Sequence, residues 1–163
     1  MSKSTSETGA NPADVESIEA IIAAAYRLIS GDAGEKRNWN RVRSLFAPGA
    51  RLIPTSKQAG VRVPDGQTPD PLDVERYISR VTEYFDQNGF FETEVARRTE
   101  QYDHVAHAFS TYESRHRADD VEPFMRGINS FQLYHDGKRW WIVTIYWQQE
   151  NPDCPIPDKY LQG

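Results

Sequence analysis

The side chains best suited to proton transfer lie in one stretch of the sequence, residues 104–117. Glu113 can act as a general acid or base if a cavity desolvates it, because burial moves the pKa of a carboxyl toward neutrality. His107 is a second candidate base, since an imidazole titrates near neutral pH. Arg115 can hold a carboxylate or an enolate oxygen. Each also has a structural interpretation: Glu113 as a solvated residue or a member of a cross-strand ion pair, Arg115 as the partner of Glu92 or Glu94, and His107 as a hydrogen-bonded structural histidine.

Two further polar residues, Asn129 and Tyr146, stand in largely apolar runs. A buried amide needs hydrogen-bond partners, so Asn129 indicates a polar site inside the fold. The Tyr146 hydroxyl can donate to an oxyanion, although a tyrosine that keeps its hydroxyl in water is more common. We therefore predict a ligand pocket formed by Asn129 and Tyr146 together with Thr111, Glu113 and Arg115.

The sequence contains no recognisable motif for a metal or a cofactor. Its histidines and its single cysteine, Cys154, lack the spacing of zinc ligands. His104 and His116 share a predicted strand but lie about 40 Å apart along it. No glycine-rich phosphate loop precedes a helix, and no Gly-x-Ser-x-Gly elbow is present. We predict that the protein uses neither a metal nor a cofactor.

Composition and charge narrow the possible partners. The 163-residue chain has a formal net charge of −5, whereas a nucleic-acid-binding domain is usually basic. No apolar run approaches the roughly 20 residues of a membrane helix, and residues 1–14 lack the apolar centre of a secretory signal. We expect a cytoplasmic protein that binds a small molecule and neither nucleic acid nor a membrane.

Three helices are predicted in the first half of the chain. Apolar residues at three- and four-residue spacing predict a helix over residues 13–30, which Gly31 ends. A shorter amphipathic helix is predicted over residues 39–46. Asp70 followed by Pro71 is the pattern of a third helix start, with a capping carboxylate and then a proline at the first helical position.

The strands follow from a change of period. Residues 50–55 are predicted as a first strand, and residues 56–69 as a mobile loop of the kind that often binds ligands. Asn88-Gly89 is the expected left-handed stop of the third helix, and the apolar period beyond it is two. This period predicts four antiparallel strands, at residues 90–102, 104–117, 123–135 and 138–149.

The strongest local signal is Asp136-Gly137, which stands between two runs rich in aromatic and β-branched residues. A two-residue turn at this point places Asn129 opposite Thr144. It also places Tyr146 on the same face of the sheet as Asn129. One of the two faces of this hairpin must cover the helices.

The opposite face of the same hairpin is also apolar and needs a cover, because monomers seldom expose large apolar patches. We predict a homodimer that forms across the sheet. The alternative is that long neighbouring side chains such as Arg126 cover these residues. The predicted interface consists of Trp141, Val143, Ile145 and Trp147.

Helices segregated from strands imply an α+β fold. We predict a curved mixed or antiparallel sheet wrapped around three N-terminal helices, a cone-shaped α+β barrel with an internal cavity. The domain is expected to span residues 13–150, between a disordered leader at 1–12 and an extended tail at 151–163.

The register of the strand at 104–117 stays open at this point. A five-residue loop at 118–122 turns one set of alternate residues toward the cavity, and a loop one residue different turns the other set inward. The two sets are Thr111, Glu113 and Arg115, and Tyr112, Ser114 and His116.

Several stretches resemble the nuclear transport factor 2-like superfamily, in particular its SnoaL-like members. They are Trp39 with Leu45–Ala50, Gly89–Glu92, Ser110–Glu113, and Arg139-Trp140 with Ile142. The resemblance covers about residues 15–149 and implies the fold given above. Its Trp-x-Ile pattern, at residues 140–142, implies that the face with Asn129 and Tyr146 covers the helices. The superfamily contains isomerases, dehydratases, cyclases, hydrolases and binding modules, so it does not fix a function.

The catalytic pattern of the ketosteroid isomerase branch can be compared with this sequence position by position. The resemblance places that branch's helix tyrosine near Ala24 and its aspartate base near Pro54, and neither residue can transfer a proton. We therefore do not expect steroid-type isomerisation. SnoaL-type cyclases place their acid and base groups variably, and the resemblance does not exclude them.

Three functions remain open from the sequence. The first is a small-molecule-binding domain with an internal apolar pocket for an apolar or aromatic ligand. The second is a cofactor-free isomerase, dehydratase or cyclase of the same fold, with Glu113 or His107 as the base and Tyr146 or Arg115 beside the oxyanion. The third is a non-catalytic dimeric interaction module.

Overall fold

The computed structural model describes residues 9–56 and 62–163. Most of the predicted leader (1–8) and part of the predicted loop (57–61) therefore lie outside the described residues. The helices are α1 (Pro12–Val15), α2 (Ile18–Ile29), α3 (Trp39–Arg43) and α4 (Val74–Gln87). The strands are β1 (Phe46–Pro54), β2 (Phe91–Tyr102), β3 (Val105–Arg115), β4 (Met125–His135) and β5 (Trp140–Gln149).

The described strands form one five-stranded mixed sheet in the order β1-β5-β4-β3-β2. β1 pairs with β5 in parallel, and the other neighbours pair antiparallel. The buried side of α2, which includes Ile21 and Ile22, packs with Phe131, Leu133 and other residues from the inner face of the sheet. The predicted α+β class, with a mixed sheet and N-terminal helices, is confirmed.

A buried carboxylate connects the N-terminal helices to each other. Asp14 of α1 is 2% exposed and accepts from Arg27 of α2 and from Arg41 of α3, at N–O distances of 2.9 and 2.6 Å. The Arg41 guanidinium, and Arg27 after it, hold the pKa of Asp14 below its usual value against the opposing effect of burial. A buried carboxylate is tolerated here because both of its oxygens are paired.

Helix α4 begins three residues later than predicted. Asp73 is the N-cap, and its Oδ1 accepts from the backbone N–H of Arg76 at 2.8 Å. Asp70 lies outside the helix and forms an exposed ion pair with Arg76. Leu72 explains the shift, because its backbone pairs with Leu52 of β1 and thus holds this segment extended.

The predicted left-handed stop of this helix is wrong. Asn88 has an extended backbone with φ −133°. Its backbone N–H and its side-chain amide both donate to the Tyr84 carbonyl, at 2.9 and 3.1 Å. Because these two bonds satisfy the end of the helix, the chain continues directly into β2.

The predicted two-residue turn at Asp136-Gly137 is also wrong. His135 pairs with Trp140, so four residues form the loop. The Oδ1 atom of Asp136 accepts from the backbone N–H groups of Lys138 and Arg139, both at 2.8 Å. The side chain of Asp136 thus organises a wider turn from within, and the left-handed conformation is needed only at Gly137, where φ is +97°.

A bulge in β5 changes the face of every later residue on that strand. Leu133 pairs with Ile142, but Gln132 pairs with Thr144, which leaves Val143 between them without a partner on β4. The parallel pairing of β1 with β5 has an irregularity at the same level. A bulge inserts one residue into a period of two. The predicted register therefore assigns the correct face of the sheet to the residues of β5 before Val143 and the wrong face to the residues after it.

The end of α3 and the start of β1 also differ from prediction. The second helix ends at Arg43, and β1 begins at Phe46 instead of residue 50. The backbone N–H of Ile142 donates to the carbonyl of Leu45 at 2.9 Å. This bond to β5 holds the chain extended from Phe46 onward, four residues before the predicted start of the strand.

The C-terminal tail lies on part of the outer face of the sheet. It contains a short 3₁₀ helix, Asp158–Tyr160. The ring of Tyr160 packs edge-on against Phe109, with centroids 5.4 Å apart, and its carbonyl accepts from Thr111 Oγ1 at 2.6 Å. The tail therefore covers residues of β3, while Val143 and Tyr146 of β5 remain exposed.

Among the described residues, no helix combines the length and the apolar character that a membrane span requires.

Candidate functional site

A cavity of about 560 Å³ lies between α2, α4 and the inner face of the sheet. Its wall is mainly apolar and aromatic, with side chains such as Ile29, Leu52, Phe85, Phe131 and Trp147. Polar side chains in the wall are fewer than apolar ones and come from both the helices and the sheet: Tyr26, Ser56, Tyr77, Arg80, Tyr84, Glu92, Tyr112, Asn129 and Gln149. An apolar cavity with a few convergent polar groups is the usual form of a small-molecule site.

Glu92 is the one acidic side chain among the described residues of the cavity wall. It lies near the start of β2, where its Cα is paired with that of Ser114. Its carboxylate accepts from Asn129 Nδ2 and from Ser114 Oγ, each at 3.3 Å. The extended chain places Phe90 and Glu92 on the same face, so this half-buried carboxylate shares the cavity wall with an aromatic side chain.

The surroundings of Glu92 favour its neutral form. Desolvation raises the pKa of this carboxyl to about 7, and the bonds from Asn129 and Ser114 only partly oppose the effect. Both bonds are long for N–H and O–H donors, which explains why desolvation is the larger effect. A carboxyl that titrates near neutral pH can both accept a proton and return it.

Two tyrosine hydroxyls, of Tyr77 on α4 and Tyr112 on β3, also face the cavity. Desolvation, with a smaller contribution from the charge of Glu92, raises the pKa of both phenols above the ordinary value. They therefore remain protonated hydrogen-bond donors. Gly127 gives Tyr112 its room, because a Cβ at that position would lie 2.3 Å from the phenol oxygen.

A polar network continues from Glu92 through the core. Asn129 Nδ2 donates to the hydroxyl oxygen of Tyr26 at 3.1 Å, and that hydroxyl is 2.6 Å from Ser110 Oγ. Ser110 in turn donates to Glu94. We define the polar network by these five residues: Glu92, Asn129, Tyr26, Ser110 and Glu94.

The predicted pocket residues on β3 do not reach this cavity. Glu113 and Arg115 form an ion pair with each other at 2.9 Å, so the partner of Arg115 is neither Glu92 nor Glu94. Thr111 is buried on the outer face, beneath Tyr160 of the tail. The other register left open by the sequence is the observed one, because Tyr112 lines the cavity and Ser114 contacts Glu92.

The structure separates the two residues expected at the rim of the pocket. Asn129 is 7% exposed and lies in the cavity wall. Tyr146 is 46% exposed and points to the outer face of the sheet, so it cannot contact a ligand in this cavity. The bulge at Val143 is the reason, because it reverses the orientation of Tyr146 relative to the predicted register.

The same bulge divides the four residues of the predicted dimer interface. Trp141 and Val143 lie on the outer face as predicted. Ile145 and Trp147 instead point inward and line the cavity, so their assignment to an interface is wrong. The ring of Tyr77 packs edge-on against Trp147, with centroids 6.3 Å apart.

His107, the other candidate base, lies on the exposed face of β3. Its Nε2 is 3.3 Å from a carboxylate oxygen of Glu100 on the neighbouring strand. It is not part of the cavity wall, so its position excludes it as a base for a ligand bound there. Within residues 9–56 and 62–163, no group of three or more His, Cys, Asp or Glu side chains could hold a metal ion.

Sequence reasoning missed the two residues at the centre of the site, Glu92 and Tyr26. A signal for each was present. Tyr26 follows Ile22 by four residues and precedes Ile29 by three, which places it on the buried side of α2. Glu92 follows Phe90 by two residues in a strand, which places it on the same buried face.

Comparisons with known proteins support the fold. The sequence matches no family model and no curated protein. One similar solved structure is a protein of unknown function with a cystatin-like fold from Nostoc punctiforme, at 10% identity and a TM-score of 0.61, covering 83% of this chain and 90% of that one. Another is the beta subunit of the benzoate 1,2-dioxygenase from Burkholderia mallei, at 17% identity and a TM-score of 0.57, with coverages of 88% and 94%.

A third similar structure comes from Parabacteroides distasonis and is provisionally named a ketosteroid isomerase. Its identity to this chain is 11% and its TM-score is 0.54, with 89% of this chain and 97% of that one covered. At such identities the likeness concerns the fold alone. This protein therefore shares the cystatin-like fold of the Nostoc punctiforme protein, in agreement with the predicted α+β fold.

Proposed function

We propose that the protein binds an apolar or aromatic small molecule in its internal cavity and that Glu92 exchanges a proton with the bound molecule. The observation that carries this proposal is the position of a single carboxyl, with a pKa of about 7, in the mainly apolar and aromatic wall that the described residues form. A site meant only for apolar binding gains nothing from a buried acid, because desolvating a carboxyl is costly.

The reaction that this arrangement favours is removal of a proton from carbon next to a carbonyl group. The Glu92 carboxylate takes the proton, the C–H electron pair forms the carbon–carbon double bond, and the carbonyl oxygen becomes an enolate. A hydroxyl of Tyr77 or Tyr112 can donate a hydrogen bond to that oxygen, since both phenols stay protonated. Glu92 then returns a proton to the same carbon, which results in hydrogen exchange, or to a conjugated carbon, which completes an isomerisation.

The test uses 2-tetralone, an aromatic ketone with an acidic C–H bond beside its carbonyl. We expect the protein to accelerate exchange of that hydrogen for deuterium in buffered D₂O, followed by proton NMR. Glu92→Gln should abolish the acceleration, because an amide cannot accept the proton. Glu113→Gln is the matched control and should leave exchange unchanged, since Glu113 pairs with Arg115 away from the cavity.

Binding without chemistry is the second candidate function, and the apolar wall of the cavity favours it independently. Binding of 2-tetralone, followed by perturbed NMR signals of cavity residues, combined with no exchange above buffer, would support a binding module and reject Glu92 as a base. Absence of both binding and exchange would contradict the proposed ligand class.

We also propose that the protein forms a homodimer across the outer face of the sheet. Support comes from large apolar side chains that lie exposed there on adjacent strands, outside the part that the tail covers: Tyr134, Val143 and Tyr146, with the half-buried Trp141. Because these residues lie on adjacent strands, they form one apolar patch instead of scattered exposed residues. A second copy of the chain can cover this patch.

A further inference from the structure

The direction of each hydrogen bond in the polar network can be assigned by starting from Glu94, at the outer end of the network. Glu94 is paired with Arg97, whose Nε is 3.1 Å from Oε1, so it takes part as a carboxylate that can only accept. Ser110 must therefore give its single hydroxyl proton to Glu94. The remaining lone pairs of the Ser110 oxygen can only accept, and the proton in the 2.6 Å contact with Tyr26 must come from the phenol.

The same reasoning carries the direction inward. Because the Tyr26 proton is committed to Ser110, the Tyr26 oxygen must accept from Asn129. That contact fixes the amide with its nitrogen toward Tyr26. The Nδ2 group carries two protons, and the second one points at Oε1 of Glu92, 3.3 Å away. Each bond in the polar network is thus determined by the one outside it.

We propose that Tyr26, Ser110 and Asn129 are positioning residues that present an N–H donor to Glu92, and that the carboxylate of Glu94 fixes the direction of the whole network. This inference rests on the proposed role of Glu92 as the proton-exchanging group. It also means that Tyr26, although in the cavity wall, is not the donor to a ligand oxygen, because its proton is already used.

The network has the burial that such a role requires. Ser110, Tyr26 and Asn129 are all buried, and the described structure leaves no buried side-chain nitrogen or oxygen without a hydrogen bond. Glu94 and Arg97 lie at the edge, each with a side chain about one-fifth exposed, and Arg97 also approaches Glu19 of α2 at 3.7 Å. The outer end of the polar network, at Glu94, is therefore held by ion pairing. The inner residues of the network are enclosed by the protein.

Few other groups can set the charge of Glu92. The phenols that interact with its charge are Tyr26 from α2, Tyr77 from α4 and Tyr112 from β3. The cavity wall also contains Tyr84 and the guanidinium of Arg80 from α4, but neither is among the groups that shift the pKa of Glu92. The pKa of each phenol is raised by desolvation, so all three remain neutral while Glu92 titrates. The donors to Glu92, Asn129 and Ser114, are consequently the groups that stabilise its ionised form.

The experiment measures the titration of Glu92 itself, without any ligand. The protein is labelled with carboxyl-¹³C glutamate, the Glu92 signal is assigned by its loss in Glu92→Gln, and its shift is followed with pH. In Tyr26→Phe the amide of Asn129 is free to turn its oxygen toward Glu92. We expect the acid dissociation constant of Glu92 to fall about tenfold, because the ionised form loses a donor.

Further variants separate this role from a general loss of packing. Ser110→Ala should lower the dissociation constant in the same direction, and it serves if Tyr26→Phe does not fold. Tyr84→Phe is the control, because it removes a phenol from the same cavity wall outside the polar network, and it should have no effect. In an Asn129→Leu background, adding Tyr26→Phe should produce no further change.

Glu94→Gln is the most discriminating variant, because the two explanations predict opposite changes in the dissociation constant of Glu92. Removing a negative charge would by simple electrostatics favour ionised Glu92 and raise its dissociation constant, whereas loss of the fixed direction lowers it. A lower constant supports the inference. An unchanged or higher constant in Glu94→Gln, or unchanged constants in folded Tyr26→Phe and Ser110→Ala, would overturn it whether or not 2-tetralone exchange depends on Glu92.

Discussion

Burial of the Glu92 carboxyl links its charge to the stability of the fold. Its pKa of about 7 in the folded protein lies above the value of 4.5 for an exposed glutamate. The folded state therefore holds the proton more tightly than the unfolded state between these two values. Stability contributed by this group is present at low pH and is lost as the pH rises toward 7.

Glu92→Gln should remove this dependence, because the amide stays neutral throughout. Relative to wild type, the variant should gain up to about 3 kcal/mol in free energy of unfolding between pH 4.5 and pH 8. Urea denaturation at the two pH values measures the difference. Glu113→Gln provides the comparison, and a Glu92→Gln variant with the same pH dependence as wild type would show that the carboxyl is not desolvated.

At the scale of elements, the sequence correctly predicts which segments are helices and which are strands. It does not correctly predict where these elements end or how the strands pair. The apolar period predicts α2 and the long strands, because burial on one side of an element selects that period directly. The position of Val143 in a bulge depends on how β1 and β4 both pair with β5. A contact of that kind is set between distant segments, and no local pattern in residues 138–149 reveals it.

The same distinction explains which parts of the site were found. Asn129 was recognised as a polar residue that needs partners, since an amide in an apolar strand conflicts with its surroundings. Tyr146 and Trp147 were exchanged between faces because one inserted residue reverses a strand. Glu113 stands two residues from a residue of opposite charge, Arg115, whereas the charged residue at the same distance from Glu92 is another glutamate, Glu94, which gives no sign of a polar site.

The start of α4 offers a test at this scale, because two aspartates compete for the capping role. Asp73→Ala should cost about 1 kcal/mol of stability, since it removes the acceptor for the backbone N–H of Arg76. Asp70→Ala should cost less, because it removes only an exposed ion pair with that arginine. Thermal and urea unfolding of both variants measure the difference, and an equal or reversed order would contradict the assigned cap.

At the scale of the whole molecule, the sheet has two faces to which we assign different roles, ligand binding on the inner face and dimerisation on the outer face. Its inner face and the helices enclose the cavity that contains Glu92. Its outer face is covered by the C-terminal tail on β3, while apolar residues near β5 remain exposed. The bulge in β5 contributes to both sides, because it turns Trp147 into the cavity and Tyr146 out of it.

The proposed homodimer predicts that a charge on the outer face breaks the assembly and leaves the fold intact. Val143 is 40% exposed on this face, and its side chain has no role in the cavity. Two copies of Val143→Glu would each bury a carboxylate at the interface, which is costly without a partner. Light scattering after size-exclusion chromatography should give twice the chain mass for wild type and the chain mass for the variant. Val121→Glu is the matched control, because Val121 is 85% exposed in the loop before β4, away from the patch. A wild-type protein with the mass of one chain, or a Val143→Glu variant that keeps the dimer mass, would show that this face does not form the interface.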